Sequence, residues 1–197
     1  MTLKAIAALG ACAAALTVAP GGPGARAQEH RELGAHEHGV GHLDIGIDGS
    51  QIAMDLHVPG MDIVGFEHAP GTDAEREQLA AALATLDSPL TLFVLPEDAG
   101  CTVIEARAEL ETGAHHDHDD DAHDEGDAHD DEGGHTEFDV EYLLTCADIK
   151  AADRMEFAYF DAFPGAQALQ IQLATNTGAM QAKVTRDRPS LPLGGRL

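Results

Sequence analysis

The stretch HLDIGIDGSQIAMDLHV, residues 42–58, decides the fold. Its apolar side chains fall at odd positions before a short polar turn and at even positions after it. Alternation with a period of two on both sides of a turn is typical of a β-hairpin with one buried face. A two-residue loop of Gly49 and Ser50 suits a tight turn in which glycine comes first. We therefore predict a fold that is built from antiparallel hairpins.

The turn also predicts the register of this hairpin. If Asp48 pairs with Gln51, the apolar faces match and His42 lies opposite His57 on the polar face. Directly opposed Cβ atoms in such a pair are about 5 Å apart. The two imidazoles are then either a metal-binding pair or two surface histidines that face solvent. If the first strand runs back through residues 36–41, His36 and His38 lie on the same polar face as His42.

One helix and several further strands are predicted after the first hairpin. Residues 72–86 favour an amphipathic helix, because Thr72 and Glu75 form a capping box and three leucines fall on one stripe. The other strand patterns lie at residues 101–110, 137–146, 155–160, 169–173 and 180–184. We predict that the tail from Pro189 is loose. The sum is an α+β fold, mostly antiparallel β-sheet with at least one amphipathic helix.

The strands at residues 101–110 and 137–146 are predicted to pair as a second hairpin with an overlong tip. In that pairing Ile104 and every second residue after it point inward. Cys101 and Cys146 lie at the base of the hairpin, and an exported protein with two cysteines usually pairs them, so a disulfide is preferred to a pair of metal thiolates. The two cysteines differ in parity, so the bridge requires an irregular strand end.

The tip of this hairpin reads AHHDHDDDAHDEGDAHDDEGGH, residues 114–135, and holds six histidines and ten carboxylates. It has no Lys, Arg or large apolar side chain, so residues 113–136 are predicted to form a disordered loop. Carboxylates alone would make a loop soluble and do not explain the histidines. Imidazole with carboxylate is a ligand set for zinc, and also for copper, nickel and cobalt. The predicted ligands of the loop are His115, His116, His118, His123, His129 and His135.

The first 27 residues are expected to be a cleaved secretory signal peptide, with a basic start, a short apolar run and small residues before the cleavage site. Lipid attachment at Cys12 is the alternative. Residues 28–197 then form a single zinc-binding domain with 9 basic and 35 acidic side chains. Such an acidic protein is a poor partner for nucleic acid, DNA included, and for anionic membranes. Cations are its natural partners.

Motifs of catalysis do not occur in the sequence. It contains no HExxH, GxSxG, P-loop or GxGxxG pattern. The two thiols are most simply a structural bridge, and nothing distinguishes a catalytic pair among the many carboxylates. We therefore expect that the protein is not an enzyme.

A short loop after the first hairpin offers another candidate site. The segment PGMDIVGFEHAP, residues 59–70, places Glu67 next to His68 between Gly and Pro residues. Adjacent side chains point apart in regular structure, yet an irregular loop can direct both at one ion. On the residues alone, a purely structural loop is the simpler interpretation.

The segment HEHGVGHLDIGIDGSQIAMDLHVPGMDIVGFEHAP, residues 36–70, resembles the opening of the ZrgA-like family of periplasmic zinc-uptake proteins. The resemblance rests on His36-x-His38-Gly39, the hairpin, Pro59, and Gly65-Phe66-Glu67-His68 followed by Pro70. It continues through the His-rich insertion, both cysteines and Phe163-Pro164. It implies a periplasmic protein that captures Zn²⁺ for an ABC-type import system of a Gram-negative bacterium. By that resemblance the preferred ordered ligands are His36, His38, Glu67 and His68, with His42 and His57 completing or neighbouring the site.

These observations lead to one preferred hypothesis and two alternatives. In the preferred hypothesis the protein is a monomer with an ordered zinc site, and its loop raises the local concentration of zinc near that site. The first alternative is a periplasmic divalent-metal buffer or metallochaperone without a transport partner, which needs only the loop. The second is a structural or adhesion domain with an acidic loop, for which added metal changes nothing.

Overall fold

A computed structural model describes residues 37–112, 135–195 and 197. The strands of these residues are β1 (Val40–Asp48), β2 (Gln51–Pro59), β3 (Phe93–Val94), β4 (Cys101–Thr112), β5 (Thr136–Cys146), β6 (Arg154–Phe157), β7 (Ala168–Thr175), β8 (Gly178–Thr185) and β9 (Ser190–Pro192). Their α-helices are α1 (Gly60–Val64), α2 (Asp73–Leu86), α3 (Pro89–Leu92) and α4 (Tyr159–Ala162). The predicted signal peptide and residues 113–134 of the predicted loop lie outside the described residues.

Two β-sheets organise the described residues. The larger has six strands in the order β4, β5, β2, β1, β7, β8, and the smaller consists of β3, β6 and β9. Neighbouring strands of the larger sheet are antiparallel except for β1 and β7, which are parallel. Three hairpins, β1–β2, β4–β5 and β7–β8, supply the larger sheet. The predicted α+β fold, mostly antiparallel and built from hairpins, is confirmed.

The β1–β2 hairpin has the predicted register. Asp48 pairs with Gln51, and His42 pairs with His57. Its apolar side chains lie on one buried face, because every second residue points to the same side of a strand. The opposite face of the six-stranded sheet carries polar and charged side chains, and we call it the outer face.

The inner face of the six-stranded sheet packs against α2 and an aromatic cluster. Helix α2 begins at the predicted capping box. The Thr72 side chain accepts a hydrogen bond from the backbone N–H of Glu75, and the Glu75 side chain accepts one from the backbone N–H of Thr72. At the other end of the helix, the Tyr142 hydroxyl donates a 2.8 Å hydrogen bond to the Leu86 carbonyl. The helix is thus fixed to β5 at its C-terminal end and capped at its N-terminal end.

The β4–β5 hairpin forms as predicted, and a disulfide joins Cys101 to Cys146. The irregularity that this bridge requires is a β-bulge between Val103 and Glu105, which shifts the register by one residue. The predicted inward position of Ile104 is wrong. Ile104 is the extra residue of the bulge, and its side chain is 52% exposed.

Two predictions for the C-terminal third are also wrong. The strand predicted for residues 155–160 ends at Phe157, because Tyr159 and Phe160 are both buried. A helical turn allows consecutive side chains to pack into one core, whereas a strand directs them to opposite faces. The tail is not loose, since β9 pairs with β6 and Leu191 is buried.

Candidate metal centre

Glu67 lies in the irregular segment between α1 and α2. Helix α1 ends at Val64 and is capped by Gly65, which has a φ of 77° and donates its N–H to the Met61 carbonyl. Glycine suits this left-handed position because it has no Cβ. The Gln78 side chain donates a 2.6 Å hydrogen bond to the Val64 carbonyl and ties the segment to α2. The carboxylate of Glu67 is therefore held by a well-anchored segment, and its side chain is 16% exposed.

His38 lies in a tight turn before β1. Gly39 has a φ of 83°, so β1 begins only at the next residue and His38 is not part of the strand. The Gly39 N–H donates a 2.7 Å hydrogen bond to Oδ1 of buried Asp62. The Gly39 carbonyl accepts hydrogen bonds of 2.9 Å from the N–H groups of Gln167 and Ala168. The turn is thus fixed from both sides.

His135 directly precedes β5, whose first residue is Thr136 although the predicted loop included it. Gly60 of α1 packs closely on this strand end. A Cβ on Gly60 would lie 2.2 Å from Thr136 Oγ1 and 2.8 Å from the Phe66 carbonyl oxygen. Only glycine permits this approach, which brings the start of β5 beside the segment that carries Glu67.

Glu67 contacts an imidazole with each of its carboxylate oxygens. Its Oε1 lies 2.6 Å from His38 Nε2, and its Oε2 lies 2.9 Å from His135 Nδ1. The two imidazole side chains are 58% and 70% exposed. We call His38, Glu67 and His135 the Glu67 cluster. Its members come from three distant parts of the sequence, so only the folded chain brings them together.

The electrostatics of the Glu67 cluster keep its carboxylate ionised. Burial raises the pKa of Glu67, but the hydrogen bond with His135 and the charge of protonated His38 outweigh that effect, so the pKa lies below its usual value. An ionised carboxylate accepts a hydrogen bond from a ring N–H, or donates an electron pair to a metal cation. The same side chain can therefore hold the imidazoles in place or coordinate a metal ion with them.

Zinc matches the chemistry of these ligands. Zinc takes imidazole nitrogen and carboxylate oxygen at about 2.0–2.2 Å, which places two ligands of a tetrahedral ion about 3.3 Å apart. The two nitrogen–oxygen contacts of Glu67 are shorter than that separation. The three residues do not offer ligand atoms that all lie within 4.8 Å of one another. Binding of one ion therefore requires the rings to turn, so that one nitrogen of each approaches the other at a longer distance from the carboxylate, and their exposure allows this.

His68 points to different neighbours from those of Glu67. Its Nε2 lies 3.8 Å from Glu75 Oε1, and its Nδ1 lies 3.0 Å from the Ala69 carbonyl oxygen. Its ring stacks on Phe66 with a centroid distance of 5.1 Å. The adjacent side chains of Glu67 and His68 thus diverge, and the structure does not place the His68 ring in the Glu67 cluster.

The rings of His42 and His57 have different surroundings despite their predicted register. His57 Nε2 lies 2.8 Å from Asp55 Oδ1, and its Nδ1 lies 3.8 Å from Asp139 Oδ2. His42 is exposed and lines a shallow depression with Lys183. The partners across the sheet differ: His57 pairs with Asp139 of β5, whereas His42 pairs with Gln170 of β7.

Within the described ranges, one group of three side chains offers ligand atoms that all lie within 4.8 Å of one another, and it consists of Asp55, His57 and Asp139. The sequence analysis missed both aspartates. Asp55 precedes His57 by two residues, and that spacing alone places the two side chains on one face of a strand. Asp139 could not be found in this way, because its position depends on the pairing of β5 with β2.

Several predicted ligands lie outside the described residues and remain predictions. They are His36, His115, His116, His118, His123 and His129.

A family model described as ZrgA family zinc uptake protein matches residues 35–193. No curated protein matches the chain. The matched range contains the Glu67 cluster, the group around His57 and both cysteines. Within the described residues, no helix is both long enough and apolar enough to cross a membrane.

Proposed function

The chain belongs to the ZrgA family of zinc uptake proteins, and from this premise we propose that it captures Zn²⁺ in the periplasm for an ABC-type importer. The observation that carries the proposal is the contact of Glu67 with His38 and His135 at the end of the His-rich loop. Two imidazoles from distant segments meet there on one carboxylate, so three side chains of zinc-ligand type come together.

The loop and the Glu67 cluster have different tasks in this proposal. A loop of the kind predicted from this composition pays conformational entropy on binding an ion, so in this proposal it binds several ions weakly and exchangeably. Its carboxylates also attract cations through their negative potential. The Glu67 cluster sits on an anchored segment and retains one ion. His135 belongs to both parts, so a collected ion is already next to the cluster.

His36 is the proposed further ligand of the Glu67 cluster. It precedes His38 by two residues, a span of at most about 7 Å along the chain. Its imidazole would add a nitrogen to a site that otherwise has two nitrogens and one carboxylate. A zinc ion with four such ligands has a complete tetrahedral shell.

The exposure of the His38 and His135 imidazoles suits a protein that transfers its zinc to a partner. Side chains that are 58% and 70% exposed are accessible to an acceptor. We propose that the acceptor is the membrane component of the importer and that the donor acts as a monomer. Protons compete with zinc for imidazole nitrogens, so capture weakens below about pH 6.

Calorimetric zinc titration in chelator-treated buffer at about pH 7.5 tests this proposal. The variants are Glu67→Gln, its matched control His68→Gln, and a chain in which the five loop histidines from His115 to His129 are replaced by Asn. Glu67→Gln should lose tight binding at the cluster and keep the weak sites. His68→Gln should bind as the wild type does, because its ring points to Glu75. The loop variant should lose weak sites only.

Two results would contradict the proposal. The first is a Glu67→Gln variant whose whole titration curve matches that of the wild type. The second is the loss of all binding with the loop histidines, which would make the protein a metal buffer of the kind that needs only the loop.

A further inference from the structure

A second group of metal-ligating side chains lies on the outer face of the six-stranded sheet. His57 of β2 pairs directly with Asp139 of β5, and Asp55 lies two residues before His57 on β2. Leu56 and Val58 alternate with them and are buried in the core. The two β2 ligands therefore point away from the core as a consequence of the strand period.

The distances within this group suit one ion. His57 Nε2 is 2.8 Å from Asp55 Oδ1, and Nδ1 is 3.8 Å from Asp139 Oδ2. The two contacts involve different nitrogens of the His57 ring, and one ion binds only one of them. The side chains must therefore turn to bring one ring nitrogen and both carboxylates to the 3.3 Å or so that separates two ligands of a tetrahedral zinc ion. Since one ligand atom of each residue lies within 4.8 Å of the others, small rotations of the side chains suffice.

The scaffold of this group is rigid and partly buried. Strands β2 and β5 are both interior strands of the sheet, each with a hydrogen-bonded neighbour on either side. The side chains of His57, Asp139 and Asp55 are 18%, 26% and 36% exposed. Partial burial strengthens the attraction between carboxylates and a cation, and ligands on regular strands are well positioned before binding.

The charge around this group favours a cation over a structural ion pair alone. Two carboxylates face one imidazole in this group. Asp55 also lies directly between Asp44 of β1 and Glu141 of β5. Like charges that are directly opposed on neighbouring strands destabilise a sheet. A bound divalent cation reduces this repulsion.

We propose that Asp55, His57 and Asp139 form a second binding site for a zinc-class divalent cation, separate from the Glu67 cluster. This inference rests on the proposed zinc capture. Three protein ligands leave a coordination position open, as in exchangeable or reactive zinc sites. Asp139 follows His135 by four residues, about 13 Å along a strand. The second site therefore lies within reach of ions that the loop collects.

Imidazole ¹⁵N resonances distinguish the two sites in the full chain. We would titrate ¹⁵N-labelled protein with zinc and follow the ring nitrogens of His57, His38 and His135, assigned by single His→Gln variants. The resonances of the His57 ring nitrogens should shift during the titration, and the shift should reach its plateau when one zinc ion has bound at His57. Asp139→Asn should weaken zinc binding at His57 at least about tenfold. Loss of a residue that only hydrogen-bonds to a metal ligand already lowers affinity by about that factor, and Asp139 is proposed to be a ligand itself. It should leave the response of His38 unchanged.

His42→Gln is the matched control, because His42 is the exposed histidine directly opposite His57 on the other neighbouring strand. It should leave zinc binding at His57 unaltered. Unchanged His57 signals during saturation of the Glu67 cluster would overturn the second site and leave the proposed function intact. A response of His57 without one from His38 and His135 would instead support the second site and contradict the proposed role of the cluster.

Discussion

The carboxylate of Asp62 accepts a 2.7 Å hydrogen bond from the backbone N–H of Gly39, and this bond joins helix α1 to the turn that carries His38. Asp62 is only 3% exposed. A buried carboxylate is costly unless it is hydrogen-bonded, so this hydrogen bond stabilises the helix and the turn together. Because α1 leads directly into the segment of Glu67, this bond also fixes the relative positions of two members of the Glu67 cluster.

Replacement of Asp62 should weaken both the fold and the zinc site. Asp62→Ala leaves the Gly39 N–H without its acceptor, at a cost of about 1–3 kcal/mol in the free energy of unfolding. The His38 turn loosens, and zinc affinity at the Glu67 cluster falls. Asp62→Asn keeps an acceptor oxygen and should retain most of that affinity. Urea unfolding and zinc calorimetry measure the two effects. Wild-type zinc affinity in the folded Asp62→Ala protein would show that the turn does not position His38.

Gly60 should not accept a side chain without cost to the zinc site. A methyl group there meets Thr136 Oγ1 and the Phe66 carbonyl oxygen, so Gly60→Ala should lower the free energy of unfolding by about 1–3 kcal/mol, as overpacking does. It should also move His135 away from Glu67 and weaken zinc binding.

Gly46→Ala is the matched control for Gly60→Ala, because a Cβ at Gly46 has open space within 4 Å. It should leave stability unchanged or raise it slightly, since glycine weakens a strand interior. Equal urea midpoints for the two variants would contradict the close packing of α1 on β5.

Local patterns in the sequence predicted much of the fold. The register of β1 and β2 followed from the turn and the period-two alternation, both of which involve neighbouring residues. The parity mismatch of Cys101 and Cys146 predicted an irregularity, but its exact place did not follow, and Ile104 was therefore assigned to the wrong face. The aromatic run at Tyr159 was also misread, because burial of consecutive residues depends on what packs around them.

The candidate sites were less predictable, because they depend on pairing between distant strands. Nothing in the sequence placed β5 beside β2, so Asp139 was not connected to His57. The contact of Glu67 with His135 likewise depends on the packing of α1 against the start of β5. His135 was identified only as a loop ligand, by its residue type and its acidic surroundings.

The disulfide should stabilise the β4–β5 hairpin without affecting zinc. Cys101 and Cys146 are 45 residues apart, and closing a loop of that size contributes about 4 kcal/mol in the chain-entropy treatment. A chain with both cysteines replaced by Ala should lose up to about that amount in urea unfolding. The bond lies at the opposite end of β5 from His135, so zinc affinity at the Glu67 cluster should not change. A double variant as stable as the wild type would contradict this role.

The capping box of α2 should lose its contribution to stability in acid. The Glu75 carboxylate accepts hydrogen bonds from the N–H groups of Thr72 and Gly71, and these bonds hold the pKa of Glu75 below its usual value of 4.5. A group whose pKa is lower in the folded state stabilises fully above the unfolded pKa, and loses that contribution as pH falls through the folded one. The difference in the free energy of unfolding between wild type and Glu75→Gln should therefore shrink from about pH 6 to about pH 3. Glu77→Gln, an exposed change on the same helix, should show no comparable trend, and a Glu75→Gln difference that is constant over this range would rule out the ionised cap.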